Sequence, residues 1–119
     1  MKMTHSQKQD NVQTYMVEGN LAEVTSKIGE YFTNNGYKLE SGSPDNGVYG
    51  IGNDIMRILL GAFAKRYKFN VIIRQNQNLV QVDFSKAMTG VAGGAIGYVK
   101  LNQEFDKCIA DLTNILNQA

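Results

Sequence analysis

Two residues carry the side chains most often used in catalysis: a single histidine, His5, and a single cysteine, Cys108. A Ser-His-Asp triad or a Cys-His pair needs a histidine that the fold holds in place. His5 lies in the polar opening segment MKMTHSQKQDN, residues 1–11, which we expect to be a disordered tail. Cys108 shares helical spacing with apolar residues, which predicts a buried thiol rather than a nucleophile. Both kinds of catalytic site are therefore disfavoured.

The remaining residues of chemical interest give no stronger indication of an active site. One histidine and one cysteine cannot supply the four ligands of a structural zinc site. Asp83 is the one acidic residue between positions 55 and 100. We expect it to lie beside basic residues of a neighbouring strand, where a cross-strand ion pair explains it without catalysis. We therefore predict a protein that is not an enzyme and holds no metal and no cofactor.

Two glycine-rich segments have the composition of phosphate-binding loops but lack the corresponding signatures. They are GVAGGAIG at 90–97 and GIG at 50–52. Neither contains G-x-x-x-x-G-K-[ST], and Ile55 stands where the third glycine of G-x-G-x-x-G belongs. We interpret both as connectors, and whether the 90–97 loop has a function is left open.

The net charge of +1 conceals a basic middle section, with seven Lys or Arg against one Asp in residues 55–100. Alternation along a strand over 66–74 would place several of these cations on one face. The predicted basic row consists of Arg57, Lys65, Arg66, Lys68 and Arg74. Such a row either binds an anionic surface or is simply a solvated face. No aromatic residue interleaves with it, which disfavours single-stranded nucleic acid as a partner.

The segment DIMRILLGAFAK, residues 54–65, is apolar around most of a helical circumference. We predict a short helix here, with a strand as the alternative. Its principal apolar side chains are those of Met56, Leu59, Leu60 and Phe63. They need burial in the core, in a partner or at a membrane surface. The segment is too short to span a bilayer and no secretory signal opens the chain, so we expect a cytoplasmic protein without a transmembrane segment.

The elements that position these residues are read from hydrophobic periodicity and turn residues. A length of 119 residues fits one domain, which we place at 12–119 after the tail at 1–11. The predicted strands are 12–18, 37–41, 48–51, 66–74 and 79–86, and the predicted long helices are 21–34 and 101–117. Residues 41–47 are expected to form a turn, residues 75–78 a hairpin connection and residues 87–99 a loop.

The order β-α-β-β-(short α)-β-β-α is typical of an α+β fold. We predict one two-layer domain in which two long helices pack on one face of a mainly antiparallel sheet. In this layout the chain resembles TATA-binding-like and helix-grip folds. A resemblance of layout alone implies no functional residues.

Two functional hypotheses follow from these features. The apolar segment 55–63 adjoins the basic strand 66–74, which favours a small non-catalytic binding or adaptor domain with its working surface there. The partner would be another protein, a second copy of the chain or an anionic surface. The alternative is a pocket for a small apolar ligand between sheet and helices, lined by Tyr67, Phe69 and Phe84.

Overall fold

Six strands form one antiparallel sheet, and the alternate apolar residues of its central strands face the helices. The computed structural model describes residues 1–52, 66–87 and 94–118. Across the sheet the strands lie in the order β1-β2-β6-β5-β4-β3. The strands are β1 Lys2–Gln9, β2 Val12–Glu18, β3 Lys38–Ser43, β4 Asn46–Ile51, β5 Tyr67–Asn76 and β6 Leu79–Lys86, and the described helices are α1 Leu21–Asn34 and α2 Gly94–Ile115.

The predicted fold class is confirmed: the chain is a single α+β domain of two layers, and the predicted order of elements matches from β2 onwards. The short helix predicted at 54–64 lies outside the described residues. Phe69 and Phe84 stand on the inner face of β5 and β6 and pack against Phe105 of α2. These stacked rings join the helix layer to the middle of the sheet.

The prediction of a disordered tail at residues 1–11 is wrong. Strand β1 lies in this segment and pairs antiparallel with β2. Asp10 takes a φ of 56° in the two-residue turn between them. Asp and Asn tolerate this left-handed conformation, so the Asp10-Asn11 pair is a hairpin signal. β1 is further tied to α2, since Lys8 pairs with Asp106 at 3.3 Å. His5 is an exposed residue of this edge strand.

Helix α1 has the bounds that its periodicity predicts. The Asn20 side chain accepts a hydrogen bond from the backbone N–H of Glu23 at 2.8 Å, which caps the first turn. Gln75 of β5 accepts from the N–H of Leu21 at 2.8 Å and so fixes this end of the helix against the sheet. At the other end Gly36 takes a φ of 85° and allows the chain to turn into β3.

Two predicted boundaries are corrected by the structure. Helix α2 begins at Gly94 rather than near residue 101, so residues 94–99 of the predicted loop are helical, Gly94 and Gly97 among them. Strands β3 and β4 extend through most of the predicted 41–47 turn, because Ser43 pairs with Asn46 and leaves only Pro44 and Asp45 between them. No helix in the described part of the chain is long and apolar enough to cross a membrane.

Candidate functional site

The predicted basic row does not form an unpaired cationic surface in the described residues. Lys68 lies 3.7 Å from a Glu40 carboxylate oxygen. Arg74 donates to Asp83 at 3.0 Å, which is the cross-strand ion pair expected for that aspartate. Arg66 lies just before β5 and is buried, whereas the prediction placed it on an exposed face. Each of these three cations thus has a carboxylate partner, which weakens the case for an anion-binding row.

Arg66, which is buried, forms an ion pair with the partly exposed Glu40 on the outer side of the β3–β4 hairpin. Its guanidinium donates to both carboxylate oxygens of Glu40, at 2.6 and 2.9 Å. A Cβ at Gly50 would overlap the Glu40 carboxylate and lie 2.8 Å from Nη1 of Arg66. Gly50 therefore leaves the space in which this pair lies against the sheet. The arrangement is that of a structural ion pair.

The rest of the predicted working surface lies outside the described residues. This holds for the apolar segment 55–63 with Met56, Leu59, Leu60 and Phe63, and for the two cations Arg57 and Lys65. Their role stays a prediction.

The predicted pocket between sheet and helices is filled. Phe69 and Phe84 are fully buried and stack with Phe105, so they belong to the core rather than to a cavity wall. Tyr67 is partly buried and packs against the same cluster. These three side chains point inward, as predicted. The space that they were expected to line is filled by the packed rings of Phe69, Phe84 and Phe105.

A different cavity lies on the other flank of α1, between this helix and the β3–β4 hairpin. Its floor is formed by β3 and β4, the two strands at that edge of the sheet. The groove encloses about 740 Å³ and is open to solvent along one side. We call it the α1–hairpin groove; its described lining residues are Leu21, Ala22, Thr25, Ser26, Gly29, Glu30, Thr33, Leu39, Pro44, Asp45 and Tyr49.

The groove has an apolar floor and a wall of small side chains. Leu39 lies on the groove side of β3 and is 38% exposed. Tyr49 supports the floor from β4, and its ring stacks on Phe32 of α1 at a centroid distance of 4.7 Å. The wall is the face of α1 that carries Ala22, Ser26 and Gly29.

Gly29 lies in the middle of α1, where glycine costs a helix about 1 kcal/mol relative to alanine. The fold places no demand on this glycine, since a Cβ there would lie 3.5 Å from the Tyr49 hydroxyl, an ordinary contact. Its effect is to widen the groove. Next to it, the buried Oγ1 of Thr25 has no hydrogen-bond partner among the described residues.

The groove could be anticipated only in part from the sequence. Ala22, Ser26, Gly29 and Thr33 recur at intervals of three or four residues, which places them on one face of the predicted helix. That pattern is a signal for close approach of another chain or ligand. It does not reveal that the β3–β4 hairpin lies opposite that face.

A second cluster, of buried tyrosine side chains and partly exposed carboxylates, joins α1, α2 and the start of β3. The Tyr31 hydroxyl donates to Asp111 at 2.6 Å, and the Tyr37 hydroxyl donates to Glu104 at 2.5 Å. Cys108 lies fully buried between them, as predicted. Burial raises the pKa of the Cys108 thiol to about 11. A protonated, inaccessible thiol is not a nucleophile, so we assign the cluster a structural role.

This cluster predicts a loss of stability at alkaline pH. Burial raises the pKa of the Tyr31 and Tyr37 hydroxyls, and their hydrogen bonds to carboxylates raise it further. In the unfolded chain these groups regain ordinary pKa values of about 10, and the thiol one of about 8.5–9. Ionisation above pH 9 therefore favours the unfolded chain, and each group lowers the free energy of unfolding by up to about 1.4 kcal/mol per pH unit.

We expect the urea midpoint to fall by several tenths molar or more between about pH 8 and about pH 10.5. The double variant Tyr31→Phe with Tyr37→Phe removes two of the ionisations and should flatten the decline. An unchanged midpoint in the native chain would show that these side chains titrate as they do in water.

Among the described residues, no group of three or more His, Cys, Asp or Glu side chains is arranged to hold a metal ion. The sequence matches no protein-family model, and no curated protein sequence is significantly similar to it. The geometry of the α1–hairpin groove is therefore the basis for a functional assignment.

Proposed function

We propose that this protein is a small non-catalytic binding domain whose α1–hairpin groove takes up an apolar group. The observation that carries the proposal is the groove itself, with Leu39 exposed on its floor and Gly29 widening it at a cost to the helix. Its volume of about 740 Å³ lies within the range of about 300–1,000 Å³ usual for ligand sites. Burial of its apolar lining supplies about 25 cal/mol per Å² of area removed from water.

This proposal moves the predicted apolar-ligand site from the inner face of β5 and β6 to the opposite flank of α1. The surface formed by segment 55–63 and strand 66–74 stays a second candidate for binding a protein, a second copy or an anionic surface. The case that this surface binds anions is weakened, because Arg66, Lys68 and Arg74 each have a carboxylate partner. We also propose a cytoplasmic location. The free thiol of Cys108 is compatible with that reducing compartment.

A neutral fluorescent probe, N-phenyl-1-naphthylamine, tests the proposal. We expect one molecule to bind per chain with a Kd of about 1–100 μM, a range set by the size of the probe. The variant Ala22→Phe places a ring in the groove and should weaken binding at least about 10-fold. Ala110→Phe is the matched control, since Ala110 is also exposed but lies on α2.

Far-UV circular dichroism and urea unfolding of both variants establish that each remains folded. Binding that is absent from the native chain contradicts the proposal. Binding that Ala22→Phe and Ala110→Phe leave equally strong would place the probe elsewhere, and would also contradict it.

A further inference from the structure

The α1–hairpin groove carries charge of one sign. Glu30 on α1 and Asp45 in the β3–β4 turn line it, and none of its described lining residues is Lys, Arg or His. The Asp45 carboxylate is held in place, because the Ser43 hydroxyl donates to it at 2.7 Å. The Asp45 carbonyl also accepts from the N–H of Ile73 at 2.7 Å, which anchors the turn to β5. A fixed negative charge thus lies at the hairpin end of an apolar trough.

The shape of the trough matches a helix better than a compact small molecule. Its α1 wall runs from Leu21 to Thr33, a length of about 18 Å at 1.5 Å per residue. The groove is open along one side, whereas small-ligand sites enclose about 70–90% of their ligand. The small side chains of Ala22, Ser26 and Gly29 let another backbone approach α1 closely.

From these observations we infer that the occupant of the groove is a cationic amphipathic helix of a partner protein. Its apolar face would lie on Leu39 and on the small-residue wall of α1. Lys or Arg side chains at the edges of that face would meet Glu30 and Asp45. This inference rests on the proposed function and names the partner class for the same groove. An anionic amphiphile would meet carboxylates with no compensating cation among the described lining residues.

Three designed helices of about 14 residues, long enough to match the α1 wall, test the inference. All share one face of Leu and Ala, and the other face carries Lys, Gln or Glu. Each is used to displace N-phenyl-1-naphthylamine from the native chain. We expect the Lys peptide to displace the probe at a concentration at least about 10-fold lower than the Glu peptide. The preference should shrink as salt is raised from about 0.05 to about 0.5 M.

The double variant Glu30→Gln with Asp45→Asn supplies the matched control. We expect it to reduce the advantage of the Lys peptide by about 3- to 10-fold, since exposed charge pairs are individually weak. Affinity for the neutral probe should stay within about twofold, which separates a charge effect from a damaged groove. An advantage that the double variant leaves unchanged would contradict the inference.

The remaining outcomes separate the inference from the proposed function. Probe binding that no peptide displaces would refute the helical partner and leave an apolar-ligand site. Equal displacement by the Lys and Glu peptides would refute the charge selection. A chain that is dimeric at micromolar concentration and binds the probe only on dilution would make a second copy the occupant. Absence of both probe and peptide binding would refute the proposed function as well.

Discussion

Arg66→Ala is expected to lower the free energy of unfolding by about 1.5–3 kcal/mol, whereas Arg74→Ala should lower it by less than about 1 kcal/mol. The same substitution is made at two members of one predicted basic row. The side chain of Arg66 is 5% exposed and holds Glu40 through two hydrogen bonds. The side chain of Arg74 is 63% exposed and makes a single ion pair with Asp83.

The expected difference between the two losses of stability arises from the different solvent exposure of the two arginine side chains. An exposed ion pair gains little over separate hydration. Truncation of the buried Arg66 side chain removes two hydrogen bonds to Glu40, which at 27% exposure has little solvent to replace them. Arg66→Lys, which keeps the charge but not the two-pronged geometry, should fall between the two Ala variants. Urea unfolding followed by circular dichroism gives all three values. Equal losses for the two Ala variants would contradict the assignment of Arg66 to the structural framework.

Phe32→Ala is expected to cost about 3–5 kcal/mol, the range for removing a fully buried aromatic ring. The Phe32 ring stacks on Tyr49 and meets Tyr37 edge-on at a centroid distance of 5.2 Å. It also contacts Phe84 of β6. The ring therefore links α1 to β4, to β6 and to the residue just before β3. Loss of the ring would leave a cavity beneath the floor of the α1–hairpin groove.

Tyr98→Ala is the control for aromatic truncation in general. Tyr98 is 53% exposed, and Nζ of Lys86 lies 5.4 Å from its ring centroid. An exposed cation–π contact contributes about 0.5–1 kcal/mol, so the loss should stay below about 1 kcal/mol. A loss at Phe32 no larger than that at Tyr98 would show that α1 is not seated on the sheet as described.

The elements with a strong local pattern were predictable from the sequence. The bounds of β2, α1 and β6 agree with the periodicity and caps that define them. The inward side of β5 was also predictable, since Phe69 and Val71 alternate with polar residues and are buried. In these segments the local preference of the chain and the demands of the core coincide.

The errors occur where tertiary context decides. β1 has a polar sequence, and it forms a strand because the Asp10-Asn11 turn returns it along β2. Arg66 has the sequence position of an exposed cation, yet Gly50 leaves room for it to lie buried against Glu40. The groove depends on the long-range packing that sets α1 beside the β3–β4 hairpin. Sequence spacing reveals the small face of α1 but not what lies opposite to it.

The most direct test of the central claim is to locate the bound probe. Backbone amide chemical shifts, measured by NMR on the native chain with and without N-phenyl-1-naphthylamine, report where it binds. We expect the largest changes at Ala22, Thr25, Gly29 and Leu39, in the α1–hairpin groove. Changes confined to the outer face of β5, around Lys68 and Arg74, or the absence of any saturable change, would contradict the account.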